Sequence, residues 1–293
     1  MRLLVIGGWG QLGTDIALAA DQRHELIRPR HAELDVTDVE TVDRVVSDVR
    51  PDVVLNAAAF HKVELCEQDP DRAFSTNAVG AENLARAART VGARSVFIST
   101  DYVFDGERLE GYAEDDPVAP LNAYGLSKAA GEAAVRAADP SSLVVRGSGM
   151  FGHAGSSGKG GNFVDNMIAR ARAGEALTVV DDHVFAPTAT RDMAERLLLL
   201  IEQQVPPGIY HAANQGSCSW FELARRAIEL SGLRADISPT GTVDGPIRRP
   251  ASSVLLDMKS TSLGLPANRS WEDALAWYLA NRPEPSAEPG RAH

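Results

Sequence analysis

Tyr124-Gly125-Leu126-Ser127-Lys128 sets a phenol and an ammonium four residues apart near the start of a predicted helix, hence on one face. A cation beside a phenol favours phenolate and lowers its pKa toward working pH, so the pair can pass a proton to or from a substrate oxygen. Upstream, the apolar run Ser95–Ile98 empties into Ser99-Thr100-Asp101-Tyr102-Val103-Phe104. Ligands of parallel sheets bind beyond the carboxyl ends of strands, so a hydroxyl from Ser99 or Thr100 emerges where a carbonyl could be polarised. Thr100 could equally cap backbone amides, and Asp101 could equally form a turn. A third cluster, Gly7-Gly8-Trp9-Gly10-Gln11-Leu12-Gly13, follows the first apolar run. Gly7, Gly10 and Gly13 let the backbone turn tightly and approach a pyrophosphate, while free amides and the helix dipole supply positive potential. Such a glycine pattern is weak alone, and its position between a strand and a helix gives it meaning.

After the second strand no acidic residue is available to grip a ribose 2′-hydroxyl. The sequence there is Leu26-Ile27-Arg28-Pro29-Arg30. Arginines suit a 2′-phosphate, so Arg28 points to NADPH, with NADH still open, unless Arg28 and Arg30 are solvated surface charges.

These clusters need a scaffold. Five short, mostly apolar runs read as buried parallel strands: Leu3–Ile6, Glu25–Ile27, Val53–Leu55, Ser95–Ile98 and Leu143–Val145. Helices are expected over 11–20, 38–49, 71–91 and 122–138, with Asp38 and Asp71 as helix starts. The rhythm predicts an α/β fold, a Rossmann-type doubly wound parallel sheet over residues 1–146 that binds NAD(P). Residues 147–282 read as a smaller mixed α/β region, mainly for substrate, some of whose elements could return to the sheet. It holds a Gly- and Ser-rich loop at 152–161, the pair Val179-Val180, a strand Gly208–His211, and helices near 162–173, 190–203, 219–231 and 271–281. The Pro- and Glu-rich tail 283–293 reads as disordered.

The composition of the 293-residue chain is that of ordinary globular proteins. A net charge of -11 argues against a general nucleic-acid or anionic-membrane binder. No apolar run reaches the length of a membrane span, and the start lacks a signal-peptide pattern. Two widely separated cysteines, Cys66 and Cys218, make neither a disulfide framework nor a paired metal motif, so a reducing cytoplasm is the simplest compartment.

Taken together, the glycine turn, Asn56-Ala57-Ala58-Ala59, the Ser99–Phe104 run and Tyr124-x-x-x-Lys128 resemble the extended short-chain dehydrogenase/reductases. Within them the chain is similar to reductases of a nucleotide-linked 4-keto-6-deoxyhexose, over about residues 1–281. Asp35-Val36, Asn162-Phe163, Ala186-Pro187-Thr188, Gly208–His211 and Arg249-Pro250-Ala251-Ser252 follow in the expected order. The resemblance implies that Gly10, Gln11 and Leu12 hold the pyrophosphate, Asp35 and Val36 flank adenine, and Ala57, Ala58 and Ala59 line the cofactor path. It implies Tyr124 as proton donor, Lys128 on the nicotinamide ribose, Thr100 on the sugar carbonyl, and Asp101 and Tyr102 near the sugar. A homodimer is compatible with it.

The chain departs from that family pattern where substrate would sit. Gly149 stands where a tryptophan is usual, Phe60-His61 replaces Tyr-Thr, and His183-Val184-Phe185 replaces Gln, an aromatic residue and Gly. Losing an aromatic side chain opens space that Phe185 could refill. His61, Gly149, Asn162 and His183 are therefore candidate substrate contacts, His211 a structural histidine, and Trp220, Trp271 and Trp277 core residues. No metal site is expected. The leading function is reduction of a nucleotide-linked 4-keto-6-deoxysugar for rhamnose or a related deoxysugar. The alternatives are a reductase or epimerase of another nucleotide sugar, and a non-catalytic dinucleotide-binding regulatory subunit.

Overall fold

Strands that must be covered on both faces carry apolar residues at every position. β1 (Arg2–Ile6), β2 (Glu25–Ile27), β3 (Val53–Asn56), β4 (Arg94–Thr100) and β5 (Leu143–Gly147) are joined by β10 (Gly208–His211) in one parallel sheet of order β10-β5-β4-β3-β1-β2. The computed structural model describes residues 1–154, 161–242 and 245–282. Successive side chains of a strand point to opposite faces. Leu3 and Val5 accordingly pack with Leu12 and Ile16 of α1 (Gln11–Ala19) and with Leu197 and Ile201 of α8 (Thr190–Glu202). Leu4 and Ile6 pack instead with Val42 and Val46 of α2 (Val39–Val49) and Leu84 of α5 (Gly80–Thr90). On that second face Val135 of α6 (Ala123–Ala138) meets Phe97 and Val144.

The chain leaves β1 for β2 on one side and returns through β3 on the other. That reversal opens a crevice at the carboxyl ends of β1 and β3, the usual ligand position of such sheets.

The helix expected over 71–91 is broken into three pieces. α3 (Val63–Gln68), absent from the sequence reading, is followed by α4 (Pro70–Phe74), a π-helical turn over Ser75–Val79, and α5. Asp69, and not Asp71, caps α4, because its carboxylate accepts from the Arg72 amide and Pro70 takes the first-turn position that needs no N–H.

The return of β10 to the sheet and the packing of α8 on α1 tie the second half of the chain to the first. Between and after them lie the short pairs β6 (Met150–Phe151) with β9 (Thr188–Ala189), β7 (Leu177–Val180) with β12 (Ile237–Thr240), and β8 (Val184–Phe185) with β11 (Cys218–Ser219). α7 (Phe163–Arg172), α9 (Trp220–Leu230), α10 (Met258–Ser262) and α11 (Trp271–Ala280) complete the molecule. Most of the 152–161 loop, and the 283–293 tail, lie outside the described residues. Among the described residues no helix is long and apolar enough to cross a membrane.

A buried ion pair holds α6 to the sheet. Arg146 on β5 grips Glu132 on α6 through two bonds of 2.8 and 2.7 Å, and Glu132 also accepts from Ser99 Oγ at 2.6 Å. The guanidinium lies 4.9 Å from the Phe104 ring centroid. Removing one partner leaves the other charge buried and unpaired, so Arg146→Met should lower unfolding free energy by about 3–5 kcal/mol. Arg146→Met combined with Glu132→Leu should recover most of that loss, as read by urea unfolding.

Candidate active site

The glycine turn comes first in the chain. Gly7 has φ +74°, and a Cβ there would stand 2.7 Å from the Ala57 carbonyl carbon. A Cβ on Gly13 would stand 2.5 Å from Gly7 O, so α1 approaches β1 more closely than any side chain allows. Gly10 caps α1 without a side-chain bond, and the first turn carries no acidic residue. Its amides therefore face the crevice with the positive end of the helix dipole. Gln11 Oε1 is buried there without a protein partner. Buried polar atoms of this kind are normally paired, so the turn fits a polar ligand such as a dinucleotide.

A single cleft of about 1340 Å³ runs from this turn to the second lobe. Gly7, Gly10, Gln11, Leu12, Gly13, Asp35, Val36, Ala57, Ala58 and Ala59 line its dinucleotide end. His61, Thr100, Asp101, Tyr102, Tyr124, Lys128, Gly149, Asn162 and His183 line the remainder. Arg28 is not among the lining residues. Its guanidinium lies 4.3 Å from the Trp9 ring centroid and donates to Gly8 O at 3.2 Å, while Arg30 lies 4.6 Å from the same ring. Both guanidinium groups thus gather on Trp9, itself a cleft residue, at the end of β2.

Tyr124 and Lys128 sit on successive turns of α6. Asn122 caps that helix by accepting from the Gly125 amide. Lys128 is 1% exposed; its Nζ donates to Ile98 O at 2.6 Å and lies 3.9 Å from the Phe97 ring centroid. Burial pulls its pKa down to about 7, while Glu132 opposes the shift. The Tyr124 ring opens to the cleft, but burial of its hydroxyl pushes that group well above the ordinary phenol range. This corrects the expectation that the ammonium lowers the phenol pKa, since desolvation dominates at both groups and the ammonium is anchored on β4. Tyr102 meets Tyr124 edge-on at 5.8 Å and is itself pushed up to about 12 by burial, with Arg249 opposing.

Sequence reasoning missed Asn77. It sits inward on the π-helical turn, fully buried, accepting from the Phe60 amide at 2.8 Å and donating to Phe60 O and Ser127 Oγ, each at 2.9 Å. It thereby fastens the loop after β3 to the turn of α6 that carries the Tyr-Lys pair. Only its place one turn before a Gly-led helix marks it in the sequence.

The second lobe supplies the far wall. Gly149 has φ +46°, and a Cβ there would lie 2.0 Å from the Phe185 ring. Phe185 lies against Trp220 with ring centroids 4.1 Å apart and planes tilted by 31°, and Trp220 meets Phe163 at 4.6 Å. Trp220 is thus a half-buried wall of the cleft and not simply a core residue, because it opens α9 where that helix faces the site. Asn162 spends its side chain inside the protein, capping α7 and donating to Gly152 O, Asp165 and Tyr278. His183 Nε2 shares a hydrogen with Thr242 Oγ1, and burial lowers its pKa; His61 contacts Ala59 O at 3.4 Å. His211 is a structural residue, held neutral by burial with its pKa down to about 3 and set between Leu256 O and Arg146. Among the described residues no three His, Cys, Asp or Glu side chains converge as a metal site.

A parallel sheet with a glycine turn after β1, a threonine ending β4 and a Tyr-x-x-x-Lys pair on the following helix defines an extended short-chain dehydrogenase/reductase. The chain belongs to the family described as RmlD substrate binding domain, matched over residues 1–283. It is 39% identical to a dTDP-4-dehydrorhamnose reductase of Mycolicibacterium smegmatis, over 94% of this chain and 84% of that one. It is 38% identical to the spore coat polysaccharide biosynthesis protein SpsK of Bacillus subtilis, over 96% and 98%. A crystal structure of dTDP-4-dehydrorhamnose reductase from Bacillus anthracis in complex with NADP superposes with TM-score 0.90 at 34% identity, covering 95% of this chain and 98% of that one.

Gly13→Ala tests the phosphate turn. Forcing a methyl against Gly7 and Gly8 should cost about 1–3 kcal/mol of stability. It should also weaken NADPH binding at least tenfold in a fluorescence titration.

Proposed function

We propose that this protein is an NADPH-dependent reductase of the 4-keto group of a nucleotide-linked 6-deoxysugar, acting as dTDP-4-dehydrorhamnose reductases do. The observation that carries the reading is one cleft lined together by the glycine turn, by Tyr124 and Lys128, and by Phe185 and Trp220 of the second lobe. The names of the relatives and the NADP in the Bacillus anthracis structure support it.

When bound, a reduced dinucleotide supplies hydride. The chain's own residues do the rest. The first-turn amides of α1 would hold its pyrophosphate, and Ala57, Ala58 and Ala59 line the same cleft. Lys128, poised near neutrality and fixed on Ile98 O, offers its remaining hydrogens to ligand hydroxyls. Tyr124, protonated at neutral pH as phenols are, would be the proton source for a ketone oxygen becoming an alcohol. The 2′-phosphate of NADPH is assigned to Arg28 and Arg30 beside Trp9. Buried free thiols at Cys66 and Cys218 fit a reducing cytoplasm.

The Gly149–Phe185 contact favours a second reading, a reductase for a different nucleotide sugar. Phe185 occupies the space over Gly149, so the sugar meets a differently shaped wall.

Purified protein supplied with NADPH, dTDP-4-keto-6-deoxyglucose and its 3,5-epimerase should oxidise the cofactor and yield a 6-deoxyhexose; a keto-sugar panel that leaves NADPH untouched defeats the proposal. Tyr124→Phe should cut kcat by about 100-fold or more. Lys128→Met should do likewise without loss of thermal stability, since it removes a desolvated amine. Arg28→Ala with Arg30→Ala should raise KM for NADPH at least tenfold and leave KM for NADH nearly unchanged; equal effects on both cofactors would remove the 2′-phosphate assignment.

A further inference from the structure

Trp9 sits in the glycine turn, 52% exposed, and lines the cleft. Its ring is the meeting point of two guanidinium groups from the segment after β2. That of Arg28 lies 4.3 Å from the ring centroid and that of Arg30 4.6 Å. Arg28 is held in three further ways. Its carbonyl oxygen accepts from Trp9 Nε1 at 2.9 Å, its guanidinium donates to Gly8 O at 3.2 Å, and its stem runs so close to the turn that a Cβ on Gly8 would stand 2.8 Å from Arg28 Cγ. Glu33 spends its carboxylate on the Arg30 amide at 2.6 Å, and among the described residues neither guanidinium forms an ion pair. Two cations brought to one ring repel each other, and no protein carboxylate pairs with either. Such a corner suits an anion.

We propose that Trp9 is a positioning residue for cofactor choice: its indole holds the guanidinium groups of Arg28 and Arg30 as one pair beside the cleft, so that a ribose 2′-phosphate meets both together. This rests on the reading that those arginines take the 2′-phosphate of NADPH. It adds a reason for two long side chains to stand together before any ligand arrives. Ordering an arginine at the moment of binding costs affinity, and ordering it beforehand on a ring removes that cost from the binding step. Stacking uses the flat face of a guanidinium and leaves its edge hydrogens for a phosphate. Arg28 has given one of those hydrogens to Gly8 O, and the Arg30 side chain has given none to any described residue. A leucine at position 9 would offer apolar bulk with neither a π face nor the N–H that holds the Arg28 carbonyl.

Adenosine 2′,5′-bisphosphate and adenosine 5′-monophosphate differ only in the 2′-phosphate and carry neither nicotinamide nor sugar, so calorimetric titration with both isolates this corner. The parent should bind the bisphosphate about tenfold or more tightly than the monophosphate. In Trp9→Leu that preference should shrink about fivefold, with affinity for the monophosphate within about twofold of the parent. Trp9→Phe keeps a ring face without the N–H and should stand between the two. Trp9→Leu combined with Arg28→Ala and Arg30→Ala should lose no more preference than the two arginine changes alone, because the indole acts only through the guanidinium groups. An unchanged preference in Trp9→Leu, an equal loss for both ligands, a Trp9→Phe no better than Trp9→Leu, or a further loss in the triple variant would each overturn the proposal. A parent that binds the two adenosine ligands alike overturns it together with the arginine assignment. A parent that discriminates while Trp9→Leu discriminates equally overturns the role of Trp9 alone. Neither result depends on whether a keto-sugar is reduced.

Discussion

A lysine with almost no exposed surface has to be held by something, and the molecule is arranged around how Lys128 is held. Its ammonium hangs from the carbonyl oxygen of Ile98, so α6 must lie flat on β4 at one register only. Gly131 makes the approach possible, since a Cβ there would stand 2.9 Å from the Phe97 ring on β4 and 2.2 Å from Asn77 O on the π-helical turn. Asn77 and Ser127 fasten the amino-terminal turns of the helix, and the Arg146–Glu132 pair fastens the next turn to β5. Each bond is a cost if left unmade and modest if made, so the set works as a register lock more than as a source of stability.

That lock explains why electrostatics at the site runs opposite to the simplest sequence argument. Four-residue spacing placed the phenol and the ammonium on one face, and they do share it. The spacing says nothing of depth. Depth decides the outcome, because desolvation pushes a phenol up and an amine down more strongly than either group perturbs the other here.

Much of the first half of the molecule was legible. Five strands, the helices after the first, second and fourth of them, and the glycine turn all follow from period and turn chemistry, although β2, expected buried, is a part-exposed edge strand; the cleft gathers the candidate site residues apart from Arg28, and Arg30 likewise stays off its lining. Less could be read where local signals are short or misleading. Asp69-Pro70 outcompeted Asp71 as a helix start, the π-helical turn hides inside an otherwise helical stretch, and Trp220 looks like any amphipathic-helix tryptophan until Phe185 and Phe163 are seen against it. The two-residue strands of the second lobe carry too little pattern to be read at all, and Ser148 and Ser253 have no local signature because they converge on Asp101 only in three dimensions.

The edge strand β10 has a further consequence. Its partner β5 precedes the first long stretch of the second lobe, and β10 follows it, so that stretch is framed by two neighbouring strands of the same sheet, while α9, α10 and α11 come after β10. The ends of that stretch are stapled together, and α8 within it packs on α1. The same framing puts the last sheet pairing far from its partner along the chain, where ring-closure entropy delays it. During synthesis the dinucleotide crevice can therefore take shape with one flank still an unpaired edge, a state open to mispairing until the intervening segment has come home.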